Sequence, residues 1–513
     1  MELDMVLVIQ LLATGLVGVI VYALLWKFWI APSRKEAALR KQGIKGPSLG
    51  PLQLFKGGNK DEVLKQRFSK RKFTLEFDGT HDILSHVLPD IHSFSKKYGM
   101  PYMYWWGNEL RMTVTDPEVV RWVLSKNPQS FGKSASIQAT LVKLLGYGLV
   151  ASNGEHWAQH RRVVGPAFQL EKLKNIMTGT MANCTSKVLS RWDNDGEFEI
   201  DVEKEFSFLA ADVISHTAFG SSFEKGRRIF HLLNLQAELL TKIAFSPMQW
   251  MPFGRLHPLR ENLQLWEVQK ELDAILLGLV KDRRKSVSYG RDLLGLMLEQ
   301  SQDNPAFKDD KLVGECKTFY IAGQETTATL LTWAMYLLSQ HREWQDRARK
   351  EVLEVCKEDE INAEALNKLK LVGMILNETL RLYPPLPIIQ RGTFNDTTMG
   401  DKISIPKGIV LVIPILAMHH DKEQWGGDAH EFNPERFARG ASKACKHPNA
   451  FMPFSFGPRV CIGQTFALIE AKIALAMILR RFSASLSPNY QHCPVSGVTL
   501  KPLHGMQLTF TRR

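Results

Sequence analysis

The chain has 513 residues, 44% of them hydrophobic, with 65 Lys and Arg against 53 Asp and Glu, a formal charge of +12. This is enough apolar material for a large core; length alone allows roughly two to four domains, and the basic excess leaves nucleic acid, an anionic membrane or an acidic protein as partner. No nucleic-acid motif or aromatic-basic repeat is present, which removes the first, and six cysteines without framework spacing exclude a disulfide scaffold and point to reduced thiols facing the cytosol.

Residues 5–26 are apolar except for Gln10 and Thr14 and carry no charge. At about 1.5 Å per residue this run spans a hydrocarbon core of roughly 30 Å, so a transmembrane helix is expected. Glu2 and Asp4 precede it, and Lys27, Arg34, Lys35, Arg40 and Lys41 follow, which places the C-terminal bulk in the cytosol. A cleaved signal peptide would need a basic n-region and a shorter apolar core. On this topology the glycosylation-like triplets at Asn183, Asn377 and Asn395 face the cytosol and stay unmodified.

The run Gly43-Ile44-Lys45-Gly46-Pro47-Ser48-Leu49-Gly50-Pro51 breaks helix and reads as a hinge or a plain linker. Residues 60–72 are charged and expected to be solvated. Met103-Tyr104-Trp105-Trp106 and residues 110–114 predict a strand pair turning at Gly107-Asn108. Residues 119–385 read as mostly helical, with breaks near 152–154, 193–196, 245–254 and 286–290. Short strands are expected between 389 and 414, with turns at Gly400-Asp401 and Pro406-Lys407-Gly408; helix returns after Gly463, and 507–511 closes the chain as a strand. No internal repeat interrupts this pattern. The expected fold is mainly α with a small β part: an anchor (1–30), a basic Pro/Gly-rich hinge (31–60) and one large domain (61–513).

Phe454-Ser455-Phe456-Gly457-Pro458-Arg459-Val460-Cys461-Ile462-Gly463 carries the most chemistry. Its single cysteine excludes a zinc knuckle and a CxxC pair. Gly457 and Gly463 flank it, where a flat ligand can approach the backbone. The apolar, Pro-free stretch to 479 predicts a helix beginning at the cysteine, whose aligned N–H dipoles would favour the thiolate. A thiolate suits an axial iron ligand, where it helps cleave an O–O bond. The alternative is a buried structural cysteine. The run resembles the haem-binding loop of the cytochromes P450 at its first Phe, its first Gly, the Arg, the Cys and the closing Gly.

That resemblance organises the rest. A Pro-free helix expected over about 310–340 centres on Ala322-Gly323-Gln324-Glu325-Thr326-Thr327. Gly323 costs a helix roughly 1 kcal/mol against Ala, and the reading assigns that cost to room over a flat cofactor. Glu325 and Thr326 supply an acid and a hydroxyl able to relay protons from water. The stretch is similar to the family's oxygen-activation motif. Glu378 and Arg381 share one helical face on an apolar helix that stops at Pro384-Pro385. With Arg436, in Phe432-Asn433-Pro434-Glu435-Arg436-Phe437, they resemble the family's structural lock behind the haem, which implies roles in folding and haem retention. Trp157, Arg161, Arg391 and Arg459 resemble positions that bind the haem propionates, and Phe454, seven before Cys461, is implied to cover the proximal sulfur. His419-His420 looks like a metal pair, but adjacent side chains point apart, so no shared site is expected.

The resemblance covers the chain after the anchor. It implies haem b with Cys461 as axial ligand, and insertion of one O2-derived oxygen atom into a C–H bond of a hydrophobic small molecule. Electrons would come from NADPH through cytochrome P450 reductase, with cytochrome b5 a further partner and nucleic acid none. The location implied is the endoplasmic reticulum membrane, single-pass, with the catalytic domain in the cytosol. Arg161, Arg162 and Lys172 are the expected reductase-docking cations. The sequence looks most like the plant branch called clan 72, which implies a gibberellin, brassinosteroid or cytokinin, or a terpenoid or fatty acid, as substrate. Pocket-lining stretches are expected at 131–150, 245–253, 319–322, 387–389 and 503–506, with Ser134, Ser136, Gln138 and Lys143 reading a carboxylate or hydroxyl. The competing functions are a haem-thiolate isomerase or dehydratase that uses no O2, and a non-catalytic haem-binding membrane protein; the first tends to lose the acid–alcohol pair, and the second has no need of it.

Overall fold

The computed structural model describes residues 2–48, 58–70, 74–75, 79–107, 109–169, 173, 177–192, 196–220, 223–245, 260–302, 304, 307–356, 361–399 and 403–513. Glu2–Leu25 (α1) is a 24-residue helix that continues through a π-helical turn into Ala31–Arg40 (α2). Ile9, Leu11, Leu12, Leu16 and Val17 on α1 are exposed. Among the described residues no helix is long and apolar enough to cross a membrane; the side chains of residues 1–8 lie outside them.

Residues 42–46, expected as a hinge, are fastened to the body. The Gln42 amide holds both backbone groups of Ser404, at 2.8 and 2.6 Å, and Met103 N–H donates to the Lys45 carbonyl at 2.9 Å. A Cβ on Gly46 would overlap the Met103 carbonyl oxygen, so only glycine permits this approach. Leu49, Gly50 and Pro51 lie outside the described residues. The charged stretch expected to be solvated is the helix Lys60–Lys70 (α3), which buries Val63 and docks through Arg67, bidentate to Asp90 at 2.7 and 3.0 Å. Helical periodicity aims one face of a charged segment inward, which composition alone does not reveal.

Tyr102–Trp106 (β1) and Glu109–Thr113 (β2) pair antiparallel, Trp106 opposite Glu109, as the aromatic alternation predicts. The helical stretch that follows contains Phe131–Gly132 (β3), Ala135–Leu145 (α4), Gly154–Val164 (α5), Thr178–Arg191 (α6), Glu197–Asp201 (β4), Val202–Phe219 (α7), Phe223–Phe245 (α8), Arg260–Lys285 (α9), Asp309–Gln340 (α10), Arg342–Val355 (α11) and Lys370–Leu382 (α12). The strands β3 and β4 interrupt a stretch that is otherwise mostly helical, as expected. Each is defined by a distant partner: Phe131 pairs with Thr393, and Ile200 with Leu508.

Then come Ile389–Thr393 (β5), Thr397–Met399 (β6), Ile403–Ile405 (β7), Val410–Ile413 (β8), Gln464–Arg481 (α13), Phe482–Leu486 (β9), Pro494–Ser496 (β10), Leu500–Pro502 (β11) and Gln507–Arg512 (β12). The largest sheet has the order β1-β2-β8-β5-β3, and a second has the order β4-β12-β9. The 32-residue α10 runs through the helical body with α7 packed along it. It is buried from Leu312 to Tyr320 and again from Thr327 to Leu338, whereas residues 321–326 are open. An opening confined to the central turn of a buried helix marks an internal cleft.

Candidate functional site

The cysteine run folds back on itself: Cys461 N–H donates to the Phe454 carbonyl at 2.9 Å. Gly457 has φ 73° and lies where a Cβ would overlap the Leu124 carbonyl, so this glycine is demanded by the neighbouring helical turn. A Cβ on Gly463 would meet only Phe168 at 3.9 Å and the Cys461 sulfur at 4.0 Å, which leaves the room expected there. The helix begins at Gln464, directly after Gly463 and three residues beyond the cysteine. Burial pushes the Cys461 thiol up, against the pull of the Gly463 N–H and the Arg161 charge. The side chain of Cys461 is nevertheless exposed, alone among the six cysteines. A sulfur enclosed by protein yet reachable by water faces a cleft.

Phe168 joins this loop to α10. Its ring lies 5.5 Å from that of Phe319, one turn before Gly323, and 6.4 Å from that of Phe466 on α13. The open turn of α10 and the cysteine therefore border the same region. Thr326 Oγ1 donates to the Ala322 carbonyl at 2.7 Å. Glu325 turns away from it: its Oε1 accepts from Thr499 Oγ1 at 2.8 Å and pairs with Lys501 Nζ at 3.0 Å. A Cβ on Gly323 would lie 2.8 Å from Ile214 Cγ1 and Cδ1 on α7. The missing side chain thus lets two helices close together, which corrects the expectation of room over a cofactor.

At the other side of the loop, basic groups converge. Arg459 lies over the Trp157 indole, 4.7 Å from its centre, and donates to the Ser152 carbonyl at 3.0 Å. Asn153 Oδ1 accepts from Arg459 Nη2 at 3.4 Å and from the Lys133 N–H at 2.9 Å. Burial lowers Lys133 to about 7, with Arg391 and Arg459 adding to the shift, and it lowers Arg391 and Arg459 each to about 10. Among the described residues none of the three has a carboxylate partner. Three enclosed cations without an anion are a receptor for carboxylates.

A family model described as Cytochrome P450 matches residues 82–509. The chain belongs to the cytochrome P450 family. It is 42% identical to cytochrome P450 72A397 of Kalopanax septemlobus over 94% of this chain and 93% of that one. It is 40% identical to cytochrome P450 734A1 of Arabidopsis thaliana over 94% of this chain and 93% of that one. Among solved structures, the cytochrome P450DA haem domain superposes with a TM-score of 0.74 at 25% identity, over 84% of this chain and 93% of that one. Members are monooxygenases of the oxidoreductase class, and their cofactor is a haem bound through a cysteine thiolate.

The residues of this cytochrome P450 fit that group. Cys461 offers the one open sulfur, and Lys133, Arg391 and Arg459 offer the charge two propionates need. Lys133 was not singled out by the sequence, where a lone lysine after a two-residue strand carries no signal. Arg161 departs from its expected group: its Nη1 donates to the Val460 carbonyl at 3.1 Å, beside the cysteine. The adjacent His160 hydrogen-bonds Glu315 of α10 through Nδ1, and Glu315 also accepts the Leu149 N–H at 2.8 Å. This buried pair, also missed by sequence reasoning, ties α5 to α10 and so fixes Arg161.

Glu378, Arg381 and Arg436 come together in the fold. Glu378 and Arg381 are fully buried and bidentate, both bonds at 2.7 Å. Arg381 reaches on to the carbonyls of His419 and Glu431, each at 3.0 Å, and to that of Ala429. Arg436 comes within 3.5 Å of Glu378, with Asp428 its closer partner at 2.6 Å. His419 and His420 diverge: His419 Nε2 accepts the Met452 N–H, and His420 Nε2 donates to the Leu382 carbonyl. Three of the four expected substrate readers are engaged internally: Ser134 and Ser136 donate to Glu109, and Gln138 donates to the Ala151 carbonyl. Lys143 is exposed, and only its backbone carbonyl is held, by Gln236 and Gln269. Lys172 and most of 245–253 lie outside the described residues.

Proposed function

We propose that this cytochrome P450 hydroxylates a hydrophobic plant metabolite: a gibberellin, brassinosteroid or cytokinin, or a terpenoid or fatty acid. The observation that carries the reading is the open central turn of α10, joined through Phe168 to the loop of the exposed Cys461. Haem, when bound, supplies O2 activation and transfer of one oxygen atom to carbon.

The chain supplies the rest. Cys461 Sγ would ligate the haem iron, and Arg391 and Arg459, with Lys133 beside them, would hold its propionates. Trp157 orients Arg459, and Arg161 adds positive charge beside the thiolate. Phe454 limits water at the sulfur. Glu325 takes a proton from water at the surface, where its partner Lys501 is partly exposed, and passes it towards Thr326 Oγ1 once the Lys501 pair opens. Glu378, Arg381 and Arg436 keep the proximal side folded. The apolar, exposed side chains of α1 support an anchor over 1–30, followed by a hinge over 31–60 and the catalytic domain over 61–513, placed on the cytosolic face of the endoplasmic reticulum. Electrons come from NADPH through cytochrome P450 reductase, with cytochrome b5 as an accessory partner. Arg162 is exposed and suits the docking face, whereas Arg161 is already committed to Val460.

The test is product formation in microsomes carrying this chain and a plant reductase. NADPH and a panel of the named substrate classes are supplied, and products are read by mass spectrometry beside Cys461→Ala. A product one oxygen atom heavier, absent from the variant, is expected. A rearranged or dehydrated product without added oxygen would overturn the assignment.

A further inference from the structure

Near Arg381, three side chains from two distant segments converge. Asp82 Oδ2 lies 3.2 Å from His430 Nδ1, and one ligand atom each from Asp82, His420 and His430 falls within 4.8 Å of the others. The segments are joined by backbone as well, since His81 N–H donates to the His430 carbonyl at 2.8 Å.

The hydrogen bonds decide which ring nitrogens meet the cluster. His420 Nε2 contacts the Leu382 carbonyl at 3.0 Å, and His430 Nε2 contacts the His420 carbonyl at 3.2 Å. A carbonyl only accepts, so both Nε2 atoms carry hydrogen and each ring turns its Nδ1 to the cluster. The His420 Nδ1 is buried and has no hydrogen-bond partner, on a residue only 4% exposed. Imidazoles whose far N–H is fixed by a backbone carbonyl are the usual arrangement of metal-ligating histidines.

We propose that Asp82, His420 and His430 form a binding site for a divalent cation of the zinc class. Two imidazoles and one carboxylate suit zinc, cobalt or nickel better than calcium or magnesium, which favour all-oxygen sites. Asp82 is exposed, which gives the ion a way in and leaves a coordination position for water. A bound ion would take the place of the proton shared between Asp82 Oδ2 and His430 Nδ1, which stand 3.2 Å apart. Arg381 is the nearby positive charge opposing a cation, and its bidentate pairing with Glu378 offsets it. Neighbouring imidazoles do not compete, because His81 is bound to Tyr383 and His341, and His419 to Met452. The ion would pin residue 82 to the 420–430 segment whose Ala429 and Glu431 carbonyls hold Arg381. The site is independent of the haem and of the substrate assignment.

The test uses the full chain as a haem protein, purified without a histidine tag, stripped with a chelator and titrated with zinc sulfate alone. Bound zinc per chain is measured by plasma mass spectrometry, and the thermal midpoint is followed in parallel. One zinc per chain and a raised midpoint are expected. Asp82→Asn and His430→Ala should each weaken binding by at least about tenfold, while His231→Gln, at an exposed histidine elsewhere, changes nothing. Asp82 is at the surface, so its variant keeps the test valid if a buried His420 variant fails to fold. Absence of stoichiometric zinc, or equal zinc in wild type and Asp82→Asn, would overturn the proposal and leave an Asp82–His430 ion pair.

Discussion

The guanidinium of Arg459 lies over the indole of Trp157, 4.7 Å from the ring centre. Two residues before the cysteine, this contact fastens the ligand loop to α5, and a cation over an aromatic face contributes roughly 0.5–2 kcal/mol depending on its burial. Trp157→Phe keeps a π face and is expected to retain most of its haem. Trp157→Ala is expected to lose haem on gel filtration, read as pyridine haemochrome per chain. Equal retention by both variants would remove Trp157 from the site.

Lys133 gives a prediction with opposite signs in the two forms. Its folded-state value is lowered to about 7, against roughly 10.4 for an unperturbed lysine. Between these values the unfolded chain binds the extra proton, so haem-free protein should gain stability as pH rises from about 7 towards 10. Lys133→Met should raise the thermal midpoint of the haem-free protein at neutral pH, flatten this pH dependence and weaken haem binding. Calorimetry and haem titration on the same preparations check all three.

Gly323 separates two explanations of one residue. Gly323→Ala gains roughly 1 kcal/mol of helix propensity but drives a methyl to 2.8 Å from Ile214, and overpacking costs roughly 1–3 kcal/mol. A net loss of stability is expected, relieved when Ile214→Val is added. A glycine needed only for room over the cofactor would show no such rescue in urea melts.

Glu378→Ala leaves Arg381 charged and buried without its carboxylate. Breaking such a pair costs about 3–5 kcal/mol, a large share of a domain's stability. The variant is expected to accumulate poorly and to hold little haem, whereas Arg347→Ala, which breaks an exposed pair with Glu435, should change the midpoint little.

The parts legible in the sequence are those set by short spacing. The cysteine run, the Glu378–Arg381 face, the β1–β2 turn and the divergence of His419 from His420 all depend on residues a few positions apart. What was not legible depends on distant neighbours. The direction of the missing Gly323 side chain is settled by Ile214, and the strand at 131–132 exists because Thr393 lies opposite. Lys133 matters because Arg391 and Arg459 face it, and Glu325 turns to Lys501 on β11. Arg161 was grouped with the propionate cations by its helical turn from Trp157, yet the carbonyl of Val460 holds it beside the cysteine. Local pattern identified which groups the site needs, and tertiary packing set where they point.

The most direct test of the central claim is the carbonyl difference spectrum of the reduced protein, compared between wild type and Cys461→His. A thiolate-type band in wild type, replaced by an imidazole-type band in a variant that still binds haem, is the predicted result. A thiolate-type band that persists in Cys461→His would mean that another cysteine is the ligand and that the haem lies elsewhere than beside Cys461.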